Sequence, residues 1–231
     1  MQIHGFNKLT LLDYPGHLAA TIFLGGCNMR CPFCHNASLV TSLASHPTIP
    51  VNEVLSTLVK RKNILEGVCI TGGEPTLYPD LPDFIAAVKA LGFKVKLDTN
   101  GTNPSMMKAL VKDGLIDYVA MDIKNAKDKY YLTSGVMNFN LELINESISF
   151  LLTAPIDYEF RTTIVKEHHT EQDLLFIGQW ITGAKAYFLQ SYKDSGDILS
   201  PGLSSHNKET LLGYVTLLTP YVEHVFLRGI D

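Results

Sequence analysis

The sequence predicts an α/β chain folded as a partial (β/α)6 barrel, and three observations carry that expectation. Short β-branched or aliphatic runs alternate with longer stretches of helical period, the pattern of parallel strands joined by crossover helices. The chain has 231 residues, 46% of them hydrophobic, a length at which α/β barrels remain one domain with one core. Polar or glycine-rich segments follow directly on the apolar runs, at the strand ends where barrels gather their functional groups.

The first expected strand is Ala19 to Leu24, and the cysteine-rich segment follows it. Ala37 to Pro50 reads as the least regular connection, and a helix over Val51 to Leu65 leads to a strand at Gly67 to Thr71. That strand ends in Thr71-Gly72-Gly73-Glu74-Pro75, before a helix at Leu81 to Leu91. The third strand, Lys94 to Asp98, ends in Asp98-Thr99-Asn100-Gly101. The helix over Pro104 to Lys112 places its proline in the first turn, where the missing N–H costs little. Tyr118 to Ile123 is the fourth strand, ending in Met121-Asp122-Ile123-Lys124, followed by a helix at Leu141 to Leu152. Tyr158 to Val165 and Ala186 to Gln190 complete the six, around a helix at Glu171 to Ile181. A helix from about His206 to Leu218 and a short apolar stretch, Val222 to Leu227, close the chain, with Ser195 to Ser205 irregular. No repeat, low-complexity tract or linker divides residues 1–231, so a single domain is expected.

Charge and hydropathy narrow the function. A net charge of −4 without a lysine or arginine block lacks the electrostatic footprint of a nucleic-acid binder. No apolar run is long enough to span a bilayer, and neither end carries a lipidation signal. The start Met1-Gln-Ile-His-Gly-Phe-Asn-Lys8 has no charged segment leading an apolar one. A cytoplasmic protein without nucleic-acid or membrane partners is expected.

Three of the four cysteines, Cys27, Cys31 and Cys34, fall in Gly25-Gly26-Cys-Asn-Met-Arg-Cys-Pro-Phe-Cys-His35-Asn36, a C-x3-C-x2-C spacing. Three thiolates can hold three irons of a [4Fe–4S] cluster and leave the fourth open, and an open metal position separates a reactive site from a structural one. Other readings exist. Cys31-Pro-Phe-Cys34-His35 matches a haem-attachment pattern, which requires export. Structural zinc on these cysteines with His35 or Cys69 is disfavoured because zinc ligands fall more often in two separated pairs. Disulfides do not suit four cysteines in a reducing compartment. Cys69 lies within an apolar run and reads as a buried small hydrophobe.

The cysteine motif followed by a strand ending Gly72-Gly73-Glu74-Pro75 resembles the radical S-adenosylmethionine (SAM) superfamily. The start Gly5-Phe-Asn-Lys-Leu-Thr-Leu-Leu-Asp-Tyr-Pro-Gly16, with Cys27 to Asn36, is similar to the activating enzymes of glycyl-radical proteins. Within these it is most similar to the anaerobic ribonucleoside-triphosphate reductase activating proteins. The likeness is strongest over Gly5 to Asn36 and Thr71 to Lys124 and weaker after Lys166.

The resemblance implies the partial barrel of the radical SAM type, and a [4Fe–4S] cluster on Cys27, Cys31 and Cys34 whose open iron is chelated by SAM. It implies reductive cleavage to a 5′-deoxyadenosyl radical, which abstracts hydrogen from a glycine of a partner enzyme, here an anaerobic ribonucleotide reductase. With one cysteine left over, no second all-cysteine cluster is expected. Electrons would come from flavodoxin or ferredoxin. Gly72 and Gly73 would allow close backbone approach to SAM, with Glu74 and its neighbouring carbonyls toward the SAM ammonium. Asn36 and the backbone at Phe33 would face the adenine, and Lys124 and Arg161 the carboxylate or ribose. Asp98, Thr99, Asp122 and the Met121 carbonyl would form a monovalent-cation site, since such ions take hard oxygen donors. Beside these stand structural readings: Glu74 in a plain turn, Phe33 in the core, Asp98 as a turn cap, Asp122 paired with Lys124, and Arg161 paired with an acid such as Glu159. His35 matches the motif without a derivable role, and Gln190-Ser191-Tyr192 stands where some activases carry a histidine.

His168-His169 reads as an exposed turn, since adjacent side chains diverge, and Tyr130-Tyr131 as packing. Two competing functions remain. One is a radical SAM enzyme acting on a small molecule such as a deazapurine precursor. The other is a non-catalytic zinc or iron–sulfur protein for binding or electron transfer.

Overall fold

A computed structural model of the chain describes residues 1–230. They pack as two compact units, one of residues 1–28 with 38–120 and one of 29–37 with 121–230. Strand order follows chain order from the first strand to the eighth.

In the first unit, β1 (Ile3–Thr10) runs antiparallel to β2 (Ala19–Leu24), with Ile3 opposite Leu24 and Thr10 opposite Ala19. β2 then pairs in parallel with β3 (Gly67–Gly72), and β3 with β4 (Lys94–Thr99). β2 and β3 are buried over nearly their whole length, which is why they read as continuous apolar runs. The connection Ala37 to Pro50 holds a short helix, α1 (Ser38–Thr41), a 3-10 turn at Leu43–Ser45, and an isolated bridge in which Ile49 N–H donates to Ile3 C=O at 2.7 Å.

Helix α2 (Val51–Lys60) stops short of the expected Leu65. Between the buried Leu58 and Leu65 no apolar side chain is buried, and Ile64 is exposed, so nothing holds another turn against the sheet. α3 (Leu81–Ala90) presses Leu81, Phe84, Ile85 and Val88 inward. α4 (Pro104–Lys112) starts where expected, with the Asn103 side chain accepting from Met106 N–H at 3.1 Å.

β5 (Tyr118–Asp122) carries the chain from the first unit to the second. There α5 (Tyr130–Ser134), α6 (Leu141–Thr153) and β6 (Asp157–Ile164) follow, then α7 (Glu171–Trp180), β7 (Ala184–Ser191), α8 (Lys208–Leu218) and β8 (Val222–Arg228). β6, β7 and β8 are parallel neighbours. α7 opens on a capping box between Thr170 and Asp173, and Asn140 and Asn207 cap α6 and α8.

The fold class is the expected α/β, with one difference in strand number. The six expected strands are β2 to β7, and β1 and β8 are added beyond them. Both are exposed over part of their length, at Asn7, Lys8 and Leu9 in β1 and at Glu223, His224 and Phe226 in β8. β1 therefore lacks the apolar run of a doubly covered strand, and β8 takes up the short apolar stretch expected at Val222 to Leu227. Among the described residues no helix is long and apolar enough to cross a membrane.

Candidate functional site

The residues singled out in the sequence fall in both units. In the first, the segment leaving β2 carries Cys27 and packs backbone to backbone on the end of β3. Gly73 N–H donates to Leu24 C=O and Glu74 N–H to Gly26 C=O, each at 2.8 Å. A Cβ on Gly72, whose φ is +115°, would collide with the Leu24 backbone, and one on Gly73 with the Gly26 carbonyl. The two glycines thus permit a close approach to the segment that bears Cys27.

Glu74 is fully buried, and its carboxylate is surrounded by donors. Oε1 accepts from Thr76 N–H (3.1 Å), Thr76 Oγ1 (2.5 Å) and Thr99 Oγ1 (2.8 Å), and Oε2 accepts from Asn100 N–H (2.6 Å). Burial pushes its pKa above the usual glutamate range against the pull of these bonds. This motif offers a ligand its backbone, because the Glu74 side chain is turned inward. Asn100, which sequence reasoning passed over, extends the network. Its Nδ2 donates to Asn28 Oδ1 at 2.9 Å and lies 3.8 Å from Cys27 Sγ. Its Oδ1 accepts from Thr102 Oγ1 at 2.6 Å, while that oxygen accepts from Asn28 Nδ2 at 2.9 Å. The signal was present in Asp98-Thr-Asn-Gly101, but only its first two residues were singled out.

Asp98, the penultimate residue of β4, forms an ion pair with Lys96, and Cys69 donates to the same oxygen across 3.7 Å. Thr99 Oγ1, besides donating to Glu74, accepts from Gly101 N–H at 3.1 Å.

In the second unit, Cys31 is buried and Cys34 half-buried, and Cys34 N–H closes a turn on Cys31 C=O at 3.0 Å. This loop is held by distant chain. Arg30 N–H donates to Ser134 C=O (2.8 Å) and Ser200 N–H donates to Pro32 C=O (2.9 Å). Gly135 ends α5 at φ +68° so close to Arg30 that a Cβ there would meet the Arg30 carbonyl. Phe33 is buried against the His168 and His169 rings, with centroids 6.1 and 6.0 Å away. Asn36 is half-buried in the same loop. His35 gains a role: its ring stacks on Tyr192, just beyond β7, at 5.8 Å and 17°.

Asp122, at the end of β5, accepts Lys124 Nζ on Oδ2 and Arg161 Nε on Oδ1, both at 2.9 Å. The structural pairing of Asp122 with Lys124 is therefore present. The alternative partner suggested for Arg161, Glu159, instead takes both guanidinium nitrogens of Arg228, at 2.7 and 2.9 Å. Burial works against the Lys124 ammonium, but Asp122 and the charge of Cys31 outweigh it and hold its pKa above the usual lysine range. Burial pushes the Cys34 thiol up, while a backbone hydrogen bond at Asn36 and the Lys124 charge pull it down. Met121 is wholly buried.

One reading needs correction. His168 lies half-buried in a turn, but His169 is fully buried, its Nδ1 accepting from Val165 N–H (3.1 Å) and its Nε2 lying 2.9 Å from Lys124 C=O. A side chain that bonds both the β6 exit and the segment after β5 cannot be recognised from its neighbour in sequence.

The donor chemistry suits an iron–sulfur cluster. Cys27 has an amide donor at its sulfur and Cys31 lies in the field of the Lys124 ammonium, both of which favour thiolate, whereas burial leaves the Cys34 thiol raised against the pull of Lys124. Among the described residues no three His, Cys, Asp or Glu side chains are gathered on one metal ion; in a four-iron cluster each thiolate takes its own iron.

Residues 21–149, from β2 into α6, match the model of the radical SAM superfamily. The chain belongs to the radical SAM superfamily. That match covers Cys27 through Lys124 and ends before Arg161. A Methanocaldococcus jannaschii protein, provisionally named a glycyl-radical enzyme activating enzyme, is 32% identical over 99% of this chain and 96% of its own length. The pyruvate formate-lyase-activating enzyme of Clostridium pasteurianum is 30% identical over 56% of this chain and 55% of its own. Among solved structures, a domain of pyruvate-formate lyase-activating enzyme from Bacteroides vulgatus superposes with a TM-score of 0.58 at 19% identity, covering 71% of this chain and 99% of that one. At that identity the superposition speaks for the fold. Within the radical SAM superfamily the chain thus groups with proteins named for activating glycyl-radical enzymes.

Proposed function

We propose that this radical SAM protein activates a glycyl-radical enzyme, an anaerobic ribonucleotide reductase, acting in the cytoplasm as one domain with flavodoxin or ferredoxin as reductant. Cys27, Cys31 and Cys34 would hold the cluster. When bound, the [4Fe–4S] cluster would supply the single electron that cleaves SAM to methionine and a 5′-deoxyadenosyl radical, which takes a hydrogen atom from the partner's glycine to give 5′-deoxyadenosine and a glycyl radical.

The chain's own residues prepare that chemistry. The Gly72-Gly73 backbone and the buried Glu74 cage fix the segment that bears Cys27. The Ser134 and Ser200 bonds fix the loop of Cys31 and Cys34. Lys124 and Arg161 place positive charge on Asp122, where a ligand carboxylate could exchange into charge-assisted bonds. Phe33 belongs to the packing of its loop, leaving its backbone and Asn36 for the adenine side. One observation supports the reading most: the three thiols of the C-x3-C-x2-C segment leave β2 within residues 21–149, the part of the chain that matches the radical SAM superfamily. The choice of ribonucleotide reductase rests on the likeness of Gly5 to Gly16 and of Cys27 to Asn36.

The test is anaerobic. The protein is reconstituted with iron and sulfide, reduced and given SAM, and 5′-deoxyadenosine is quantified against Cys31→Ala. We expect formation that requires Cys31, and a glycyl-radical doublet in electron paramagnetic resonance when the anaerobic reductase is added. No deoxyadenosine from a reduced four-iron cluster would overturn the radical SAM activity. Deoxyadenosine without a doublet would remove the partner and favour a small-molecule substrate.

A further inference from the structure

Lys96, on β4, is 2% exposed, a burial that lysine rarely reaches without a partner. Two residues before Asp98 on the same strand, it faces the same side of the sheet, and its ammonium forms an ion pair with Asp98 Oδ1. On the neighbouring strand Cys69 is the in-register partner of Lys96. The Cys69 sulfur lies 3.8 Å from Lys96 Nζ and donates to Asp98 Oδ1 at 3.7 Å. Lys96, Asp98 and Cys69 therefore form a polar cluster on one face of β3 and β4.

This cluster bears on the monovalent-cation site expected from the sequence. A carboxylate holds a potassium or sodium ion well only where another cation has not already neutralised its charge. In the first unit the Asp98 carboxylate already faces an ammonium. In the second unit both oxygens of Asp122 carry cationic donors, Lys124 and Arg161. A free cation placed on either carboxylate would meet a like charge a few ångströms away, where low dielectric strengthens the repulsion. The donor set does not fit such an ion.

We propose that Lys96 is an internal counter-ion that fixes the Asp98 carboxylate in place of a monovalent metal cation, so that SAM binding by this chain requires neither potassium nor sodium. The proposal rests on the radical SAM reading above for its ligand. Lys96 is a positioning residue: it acts on the site through Asp98. A buried ion pair adds little net stability over apolar packing, so its effect lies in where it holds the carboxylate.

The experiment compares potassium, sodium and tetramethylammonium chlorides at equal ionic strength, with cluster-loaded protein. SAM binding by equilibrium dialysis should agree within about twofold across the three for the wild type, because only general screening is left to act. A strengthening of roughly tenfold or more in potassium or sodium, the worth of one charge-assisted bond, would overturn the proposal. Lys96→Met should bind SAM about tenfold more weakly in tetramethylammonium and recover in potassium, which enters the vacated position. Equal weakening in all three salts, or none, would show a packing role and likewise overturn it. Thermal unfolding without SAM supplies a second readout: the same midpoint in all salts for the wild type, and a rise specific to potassium for Lys96→Met. If SAM binds in no salt, the radical SAM reading fails, and the unfolding contrast decides the counter-ion by itself. If Lys96→Met does not fold, the wild-type comparison decides.

Discussion

Glu74 in the first unit and Asp122 in the second are both carboxylates at or just beyond a strand end, and their surroundings are opposite. Glu74 is sealed from solvent and held by neutral donors, two hydroxyls and two backbone N–H groups. Asp122 keeps 28% of its side chain exposed and is held by two cations. The neutral cage closes two loops on one buried group and leaves no oxygen lone pair aimed at water, so it shapes backbone. On the proposed reading, Lys124 and Arg161 would also offer charge-assisted bonds to a ligand carboxylate beside Asp122. One carboxylate is architecture, and the other would serve the ligand.

The largest expected effect breaks the first half of that comparison. Glu74→Ala strands the donors of Thr76, Thr99 and Asn100 inside the protein and should cost about 3 to 5 kcal/mol. Calorimetry or thermal unfolding should show a midpoint lowered by about 10 °C, with Glu74→Gln recovering part of it. A Glu74→Ala protein as stable as the wild type would show that the cage is incidental.

The second unit has its own neutral brace in His169, and pH sharpens the contrast. Burial lowers the His169 pKa from 6.5 to about 4. The fold therefore prefers the uncharged ring, so its stabilisation is complete above pH 6.5 and is lost as pH falls toward 4. The loss amounts to ~3 kcal/mol at the lower end. Urea titrations at intervals over this range should show the decline, and His169→Gln should flatten it. A wild-type profile without slope would contradict the buried neutral ring.

The smallest effect belongs to the charged set. Arg161→Met leaves Asp122 its bond to Lys124, so stability should change by less than about 1 kcal/mol. SAM affinity should fall roughly tenfold, the loss of one charge-assisted contact. A variant that loses stability but binds SAM unchanged would make Arg161 architectural, as Glu74 is.

The same division explains what could be read from the sequence. β2 and β3 are covered on both faces, and their apolar runs place them to within one residue. β1 exposes Asn7, Lys8 and Leu9, so no apolar run announces it. The cysteine spacing and the Gly-Gly-Glu turn are local and therefore legible. The direction of the Glu74 side chain is not, because half of its donors come from Thr99 and Asn100, a strand away. Lys96 was within reach: a lysine and an aspartate two apart on a strand share a face, yet the apolar surroundings that make the pair matter come from the tertiary fold. Glu159 on β6 and Arg228 on β8 lie 69 residues apart, and nothing local announces their pairing. His169 was misread for a related reason, its two partners being backbone groups on different segments.

The braces on the loop of Cys31 and Cys34 have a consequence in time. The chain is made from its amino end, so all three cysteines of the motif leave the ribosome early, whereas Ser134, Gly135 and Ser200, which hold that loop, come later. The loop of Cys31 and Cys34 is complete only when those later residues have folded onto it, so the shape of a ligand-bearing segment is set by residues that bear no ligand.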